Sequence, residues 1–365
     1  MIPVTPTRKC LPFPRKRGRF TTQIGAQMAG RDIVVIGGSA GSIEAVAELV
    51  RGLPPEFPGS VFIVVHFPGS VTSTLPRILN RAGPLPARHA INGQPVEPGR
   101  IYVAPPDCHL HLVDGQTRLT RGPKENGHRP AIDPLFRTAA HSYGSRVVGV
   151  VLSGNLNDGT AGLLSVKQHG GTSVVQSLET ALYQGMPRSA IDHVEVDHVL
   201  APSEIPLLLT ELALEPVQRP EIVAMPDIAP DDQQADDFAI ADRHTQPGIP
   251  STMTCPECHG TLWEVKDNEL VRFRCRVGHA YSDEALLVHQ SEQLEAALWT
   301  ALRALEEHSA LARRLAARAN SRGHSHSASS FTEQAMDAEH HASVIRTVLD
   351  RGVRSGDAAE ALVVG

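Results

Sequence analysis

Continuous apolar runs separated by helical patterns occupy the chain from Asp32 to about Leu212. The runs IVVIGG, VFIVVH and VVGVVLSG each end at a glycine or a polar residue. Continuous runs of valine and isoleucine residues are typical of strands that are covered on both faces, as in a parallel sheet. Apolar residues at helical spacing lie between the runs. The pattern predicts an α/β fold: a doubly wound, mostly parallel sheet with helices on both faces.

Helix boundaries follow from the residues that begin and end helices. SIEAVAELVRGL has apolar residues at helical spacing and reaches a glycine stop at Gly52. Asp133 and Pro134 predict an N-cap and a first helical position for LFRTAAHSYG. TAGLLSVKQHGG and SEIPLLLTEL predict two more helices, with the strand TSVVQS between them.

The last third of the chain has a different pattern. Residues 216–250 lose the periodicity and collect Pro, Asp and Gln, which is typical of a flexible linker. The strand-like segments LWEV and LVRFR follow, and then a long leucine-striped helix, the polar break SRGHSHSASS and a second helix. We expect a C-terminal helical hairpin, whose apolar residues either pack together or bind a partner.

These patterns divide the chain into five expected segments. They are a disordered basic tail (1–30), a catalytic domain (31–215), the linker (216–250), a small zinc-ribbon-like segment (251–282) and the helical hairpin (283–352).

Charge and cysteine content narrow the class of protein. The formal net charge of −6 argues against a nucleic-acid partner, which would require clustered Lys and Arg. The basic start lacks a following apolar region, and no apolar stretch approaches the roughly 18 residues needed to cross a bilayer. Five cysteines, three of them clustered, fit a reducing compartment. We therefore expect a cytoplasmic protein without direct membrane insertion.

The first apolar run ends in a candidate nucleophile. Gly37-Gly38-Ser39-Ala40-Gly41 fits the pattern G-x-S-x-G at a strand-to-helix turn, where glycines allow a sharp bend and expose the hydroxyl beside helix N-terminal amides. Those amides could stabilise an oxyanion. Two alternatives stay open: Ser39 could cap the helix, or the loop could bind a dinucleotide, although Ser39 replaces the second glycine of G-x-G-x-x-G.

Two more predicted strands are followed by residues that could assist a serine nucleophile. His66 follows VFIVV and Asp158 follows VVGVVLSG, and the carboxyl ends of parallel strands meet in one crevice. An imidazole can activate a serine, and a carboxylate can fix the imidazole tautomer. The chain order Ser, His, Asp differs from the Ser, Asp/Glu, His order of the α/β-hydrolases, which disfavours that fold.

Both assignments have rivals. Asp158 could instead cap the helix that follows it, and Asp133 is another carboxylate, although its Asp-Pro context is explained by a helix cap alone. Other histidines could serve as the base, namely His89, His109, His111 and His128.

The motifs around these three residues resemble the catalytic domain of the chemotaxis protein-glutamate methylesterases. The matching segments are VVIGGSAGSIEAV, VVHFPGSVTSTLPRIL, VVLSGNLNDGTAGLLSVKQHGG, GRIYVAPPDCHLHL, NGHRPAIDPLF and ALYQGMPRSAI. They occur in the family's order and cover roughly residues 31 to 212. The resemblance implies that Ser39 is the nucleophile, His66 the general base and acid, and Asp158 the orienting carboxylate.

The resemblance also implies an activity and a partner. Family members hydrolyse glutamate methyl esters on receptor signalling helices, releasing methanol, and often deamidate receptor glutamines; no metal or organic cofactor is needed for catalysis. Methylated receptor signalling helices are the expected partner. The family usually carries an N-terminal receiver domain, whereas about 30 residues precede the first strand here. We therefore expect control by a separate regulatory protein or by the C-terminal region.

Two residues depart from the family pattern. The family commonly has Thr after the serine and Met three residues before the aspartate, where this chain has Ala40 and Asn155. Their backbone amides would still be available to an oxyanion, so we expect the chemistry to survive and the substrate contacts to change.

The clustered cysteines suggest a metal site. Cys255, Cys258, Cys275 and His279 supply three thiolates and an imidazole, enough for a closed tetrahedral zinc site. Such a site would be structural, because catalytic zinc keeps an open position. The alternative is a set of reduced cysteines, and we expect His324 and His326 to be solvated.

Three other functions remain as alternatives. The first is a non-catalytic signalling scaffold, the second a general carboxylesterase or amidase, and the third a zinc-ribbon nucleic-acid binder, which the acidic composition disfavours.

Overall fold

The computed structural model describes residues 30–66, 73–217, 248–267 and 270–351. The predicted tail, apart from Gly30, and most of the predicted linker lie outside these residues. The strands are β1 (Ile33–Gly38), β2 (Ser60–Val65), β3 (Ala87–His89), β4 (Gln94–Pro95), β5 (Arg100–Val103), β6 (His109–Val113), β7 (Gln116–Thr120), β8 (Val147–Val151), β9 (Thr172–Gln176), β10 (His198–Leu200), β11 (Ile249–Thr254), β12 (Thr261–Asp267), β13 (Leu270–Cys275) and β14 (Ala280–Ser282). The helices are α1 (Ser42–Gly52), α2 (Leu75–Ala82), α3 (Ile132–Tyr143), α4 (Thr160–Gln168), α5 (Gly185–His193), α6 (Ile205–Leu214), α7 (Asp283–Ser321) and α8 (Ser325–Asp350).

Seven strands form one parallel sheet in the order β10-β9-β8-β1-β2-β5-β3. Each central strand is buried along its whole length. Helices α1, α2 and α6 pack on one face and α3, α4 and α5 on the other. The prediction of a doubly wound, mostly parallel sheet is therefore confirmed. Since β1 lies between β8 and β2, the ends of these three strands are adjacent.

Successive side chains of β1 pack into the apolar layers on opposite faces of the sheet. Val34 and Ile36 pack with α1, α2 and α6, whereas Ile33 and Val35 pack with α3 and its neighbours. All four side chains are at most 2% exposed. This two-sided burial is the reason why the strand sequence is continuously apolar rather than alternating.

A small antiparallel sheet with the order β4-β7-β6 was not predicted from the sequence. Leu110 and Leu112 of β6 belong to the same apolar layer as α3, and Thr138 of α3 accepts a hydrogen bond from the Leu112 N–H at 3.1 Å. The strands are short and alternate polar with apolar residues, a weaker signal than the long apolar runs of the main sheet.

The C-terminal part contains a four-stranded antiparallel sheet, β11-β12-β13-β14, followed by two long helices. The strand-like segments LWEV and LVRFR lie in β12 and β13. Helices α7 and α8 pack against each other through small residues, because the buried positions of α8 are Ala335, Ala338 and Ala342. Several predicted stripe residues stay exposed instead, including Leu294 and Leu311.

Two details of the sequence prediction are wrong. Helix α3 begins at Ile132 with Ala131 as its N-cap, so Asp133 lies inside the first turn and does not cap it. The predicted polar break shortens to residues 322–324, because SHSASS forms the start of α8. His324 and His326 are exposed, as expected. Among the described helices, none is both long enough and apolar enough to cross a membrane.

Candidate active site

Ser39 lies in the turn between β1 and α1. Gly41 adopts a left-handed conformation, φ 69°, and serves as the N-cap of α1 without any side-chain cap hydrogen bond. The backbone of Ser39 is fixed on both sides, since its N–H donates to Ser153 O at 2.9 Å and its carbonyl accepts from Ser42 Oγ at 2.7 Å. The Ser39 hydroxyl is therefore not used as a helix cap, and that alternative is wrong.

His66 lies at the end of β2, beside the serine turn. Its backbone N–H donates to Gly38 O at 3.2 Å, which continues the pairing of β1 and β2. Its side chain is 5% exposed, with Nδ1 3.2 Å from Ser39 Oγ and Nε2 2.8 Å from Asp158 Oδ2. The three residues at the ends of β1, β2 and β8 thus form one hydrogen-bonded chain.

Asp158 is buried and its oxygens are fully used. Oδ2 accepts from His66 Nε2 and from the Ile132 N–H at 2.8 Å, and Oδ1 accepts from Asn126 Nδ2 at 3.1 Å. Burial by itself raises the pKa of Asp158, but the hydrogen bond and charge of His66 and the hydrogen bond from the Ile132 N–H outweigh it and lower the pKa. The carboxylate is consequently ionised at neutral pH.

Asp133 has a different place from the one expected. Its Oδ1 accepts from the N–H groups of Gly159 and Gly162 at 3.1 and 2.7 Å, so it holds the start of α4 rather than of its own helix. Gly159 is the N-cap of α4, and Asp158 is not. Burial, together with the nearby charge of Asp158, raises the pKa of Asp133 to about 7. Two neighbouring carboxyls are thus driven toward opposite protonation states.

The rival histidines have other partners. His128 stacks on the His66 ring with centroids 3.7 Å apart and an interplanar angle of 13°. Burial and the charge of His66 lower the pKa of His128 to about 3, so the His128 ring is neutral against the base. His109 and His111 contact Pro123 O and Thr120 Oγ1, and His89 contacts Ser73 O. Of these four histidines, only His128 contacts the hydrogen-bonded residues Ser39, His66 and Asp158.

The geometry determines the tautomer of His66. An ionised carboxylate can only accept hydrogen bonds, so the hydrogen on His66 belongs to Nε2, and Nδ1 presents its lone pair to the Ser39 hydroxyl. A serine whose proton has an acceptor of this kind is a competent nucleophile toward an acyl carbon. The site is therefore equipped for acyl transfer.

Backbone amides beside Ser39 could hold an oxyanion. A Cβ atom added at Gly154 would lie 2.8 Å from Ser39 Cβ, so the Gly154 backbone packs directly against the serine. The adjoining Asn155 and Ala40 N–H groups have no hydrogen-bond acceptor within the part of the chain that the structure describes. Free N–H groups next to an attacking hydroxyl are the usual donors to a tetrahedral oxyanion.

Comparison with known proteins identifies the family. A family model described as CheB methylesterase matches residues 34–209. A protein-glutamate methylesterase/protein-glutamine glutaminase 2 of Anaeromyxobacter dehalogenans is 40% identical over 187 residues, covering 51% of this chain and 55% of the relative. The crystal structure of the Thermotoga maritima CheB methylesterase catalytic domain is 37% identical; the match covers 50% of this chain and 98% of that domain, with a TM-score of 0.48. Residues 34–209 of this chain form a CheB methylesterase domain.

The family match has a defined extent. The full-length Thermotoga maritima protein-glutamate methylesterase/protein-glutamine glutaminase is 37% identical over 208 residues, which are 56% of this chain and 60% of that protein. The chain spans about half the length of the curated relatives it matches. The CheB methylesterase domain ends near α6, so the sheet β11–β14 and the helices α7 and α8 lie outside the match.

The four predicted metal ligands come together beside the CheB methylesterase domain. The ligand atoms of Cys255, Cys258, Cys275 and His279 all lie within 4.8 Å of one another. Cys258 Sγ is 3.6 Å from Cys275 Sγ, too far for a disulfide, and His279 Nδ1 is 3.6 and 3.5 Å from the sulfurs of Cys255 and Cys275. Ligands of a tetrahedral zinc ion, at about 2.3 Å for sulfur and about 2.0 Å for nitrogen, would lie roughly 3.5 to 3.8 Å apart. The residues fit that ion.

Sequence reasoning missed Asn126 and misjudged His128. Asn126 contributes a hydrogen bond to the Asp158 carboxylate, and His128 was weighed only as a rival base. Both belong to the segment NGHRPAIDPLF, which was recognised as a family motif without a chemical role. A left-handed backbone at Asn126, φ 50°, is the kind of constraint that an Asn-Gly pair signals.

Proposed function

We propose that this protein is a serine hydrolase that cleaves methyl esters of glutamate side chains on chemotaxis-type receptors. The observation that carries the proposal is the continuous hydrogen-bonded chain from Ser39 Oγ through His66 to Asp158. In this proposal Ser39 is the nucleophile, His66 the general base and acid, and Asp158 the carboxylate that orients the imidazole.

The substrate class comes from the relatives. The matched proteins of Anaeromyxobacter dehalogenans and Thermotoga maritima bear the name protein-glutamate methylesterase/protein-glutamine glutaminase. Both reactions are acyl transfers at the same glutamyl carbonyl, so one site serves both. We propose methylated receptor signalling helices as the principal partner and glutamine deamidation as a second reaction.

Acylation is the first half of the proposed reaction. Ser39 Oγ forms a bond to the ester carbonyl carbon while its proton passes to His66 Nδ1. The developing oxyanion accepts from the N–H groups of Ala40 and Asn155, and the imidazolium is stabilised by Asp158. When the tetrahedral intermediate collapses, the methoxy group leaves with the proton of Nδ1 as methanol, and a glutamyl ester of Ser39 remains.

Deacylation returns the enzyme to its starting state. A water molecule gives its proton to His66 Nδ1 and attacks the acyl carbon, and Ser39 then leaves and recovers that proton. The product is the free glutamate side chain. None of these steps requires a metal or an organic cofactor.

The remaining parts of the proposal concern the rest of the chain. We propose that the Cys255, Cys258, Cys275 and His279 cluster binds a structural zinc ion and that sheet β11–β14 is a zinc ribbon. Helices α7 and α8 are proposed to be a helical hairpin that receives a separate regulatory protein, because Trp299 and Met336 on them stay exposed. We propose that the protein acts in the cytoplasm, where receptor signalling helices are accessible.

A methanol-release assay tests the reaction. Receptor carrying radiolabelled methyl esters is incubated with wild type, with Ser39→Ala, and with Ser203→Ala, an exposed serine away from the site. We expect methanol from wild type and Ser203→Ala and background release from Ser39→Ala. Equal release by wild type and Ser39→Ala would contradict the proposal and favour a non-catalytic scaffold.

The same assay addresses a general carboxylesterase. That alternative expects Ser39-dependent hydrolysis of small aryl esters together with no release from methylated receptor. Incubation with an unmethylated receptor that retains its glutamines, followed by detection of ammonia, measures the deamidation.

A further inference from the structure

Ser282 joins the C-terminal part of the chain to both loops beside the active site. It lies where β14 ends and α7 begins, and its Oγ accepts from the Ala285 N–H as the N-cap of α7. The Ser282 N–H donates to Asn126 Oδ1 at 2.9 Å, and its hydroxyl donates to Asn157 Oδ1 at 2.6 Å. One residue therefore contacts the loop before α3 and the loop that carries Asp158.

Asn126 links Ser282 to the triad formed by Ser39, His66 and Asp158. Its side chain is buried, and Nδ2 donates to Asp158 Oδ1 at 3.1 Å while Oδ1 accepts from Ser282. Its backbone N–H donates to Ala280 O at 2.8 Å, which extends β14 onto the Asn126 loop. Both ends of this amide are thus occupied, one by the catalytic carboxylate and the other by the C-terminal part.

The surrounding contacts show that the two parts fit closely. Leu156, two residues before Asp158, packs into the apolar cluster formed by the ribbon residues and the start of α7. A Cβ atom added at Gly127 would lie 2.0 Å from His289 Nε2, so a side chain there would have to displace the His289 ring of α7. Lys124 and Glu257 form an ion pair at 2.7 Å across the same boundary.

We propose that strand β14, Ala280–Ser282, is an intrachain positioning element for the esterase triad, acting through Asn126 as a positioning residue. The inference rests on the proposed function and assigns a role to the part of the chain outside the family match. With Oδ1 of Asp158 held by Asn126, Oδ2 is left to face His66 Nε2 in the geometry that the base requires.

Several charged or titratable groups face the triad carboxylate and its neighbours. His66, His128 and His109 act on Asp158, and Asp133 lies beside it on α3. His289 on α7 and Lys124 act on His128. A second carboxyl introduced at residue 126 would lie within this set at hydrogen-bond distance from Asp158, while these neighbours stay unchanged.

Substitutions at Asn126 in the full chain test the inference. Asn126→Gly removes the amide group, and glycine tolerates the left-handed backbone at this position. Asn126→Asp keeps the shape of the side chain and replaces the amide donor with a second carboxyl beside Asp158. We expect Asn126→Gly to lower kcat on the order of 10-fold with KM nearly unchanged, because a hydrogen bond to a charged group is lost. We expect Asn126→Asp to lower kcat as well, because burial and the charge of Asp158 favour one shared proton between the two carboxyls, so that Asp158 is no longer fully ionised.

A second pair of variants tests the contact with the C-terminal part. Ser282→Ala removes the hydroxyl that binds Asn157, and Ser309→Ala removes a buried hydroxyl of α7 that binds Glu339 far from the site. We expect Ser282→Ala to lower kcat in the same direction as Asn126→Gly and Ser309→Ala to retain the wild-type kcat. Wild-type kcat in both Asn126→Gly and Asn126→Asp would overturn the inference.

Proton NMR separates this inference from the proposed reaction. The downfield resonance of the hydrogen on His66 Nε2 reports the bond to Asp158 without any turnover, and it is assigned by its loss in His66→Gln. We expect it to shift in Asn126→Gly, Asn126→Asp and Ser282→Ala and to stay in place in Ser309→Ala. An unmoved resonance in the first three variants would refute the positioning role. Absence of Ser39-dependent methanol release would instead refute the reaction.

Discussion

His66 contacts Asp158 through Nε2, at 2.8 Å, and turns Nδ1 toward Ser39. The carboxylate is ionised, because its hydrogen bonds and neighbouring charges lower its pKa against the effect of burial. The proton on the ring is therefore held on the side away from the serine. The ability of Ser39 to lose its proton depends on this arrangement.

Replacement of the carboxylate by an amide should disable the base. In Asp158→Asn an amide N–H can donate to Nε2, which moves the ring hydrogen to Nδ1 and faces Ser39 with a donor. We expect kcat for methanol release to fall about 10,000-fold with KM little changed. Asp192→Asn, at an exposed aspartate of α5, is the matched control. Activity near wild type in Asp158→Asn would mean that the ring works without this carboxylate.

A methyl group at Gly154 should displace the nucleophile. The added Cβ would lie 2.8 Å from Ser39 Cβ and 2.1 Å from Met186 Sδ, closer than real contacts allow. We expect Gly154→Ala to lower kcat about 100-fold, since a displacement near 1 Å has that effect on a reacting group. Gly115→Ala, where no atom lies within 4 Å of the added Cβ but φ is +73°, controls for backbone strain. Equal kinetics in the two variants would exclude crowding at Ser39.

Asp133 should make stability depend on pH. Its pKa is raised from 3.8 to about 7, first by burial and then by the charge of Asp158. A carboxyl of this kind stabilises the fold below pH 3.8, and this contribution is lost as pH rises to about 7. Asparagine cannot ionise, and its oxygen can still accept from Gly162. We expect the Tm of Asp133→Asn, relative to wild type, to be higher at pH 8 than at pH 5.

Thermal denaturation at the two pH values measures this difference. Asp192→Asn serves again as the control, because its carboxylate is exposed. A Tm difference between Asp133→Asn and wild type that does not change with pH would show that Asp133 is ionised in the fold throughout this range.

Metal content tests the cysteine cluster. We expect about one zinc ion per purified chain by elemental analysis, since three thiolates and one imidazole form a closed structural site. Cys258→Ser should lose the ion and lower Tm, because metal binding contributes to the stability of a segment this small. Cys108→Ala, at a buried cysteine outside the cluster, should keep the ion. Full zinc content in Cys258→Ser would exclude Cys258 as a ligand.

Much of the CheB methylesterase domain could be predicted from sequence, because the patterns that indicate its strands are local. The apolar runs of β1, β2 and β8 are long and buried on both faces, so they could be recognised without any knowledge of their neighbours. Residues that follow adjacent parallel strands must share an edge, which placed Ser39, His66 and Asp158 together. The short strands β4, β6 and β7 gave no comparable signal.

The sequence by itself determined the parallel sheet, the three residues at its edge and the four residues of the cysteine cluster. Only the tertiary structure decided that Asp133 holds α4 instead of its own helix, that His128 stacks on His66, and that Asn126 joins Asp158 to Ser282. The physical reason is the separation along the sequence over which each feature is determined. Apolar periodicity and ligand spacing can be recognised within a short stretch of chain. The hydrogen-bond partner of a buried amide or carboxyl, in contrast, depends on which distant segment packs beside it.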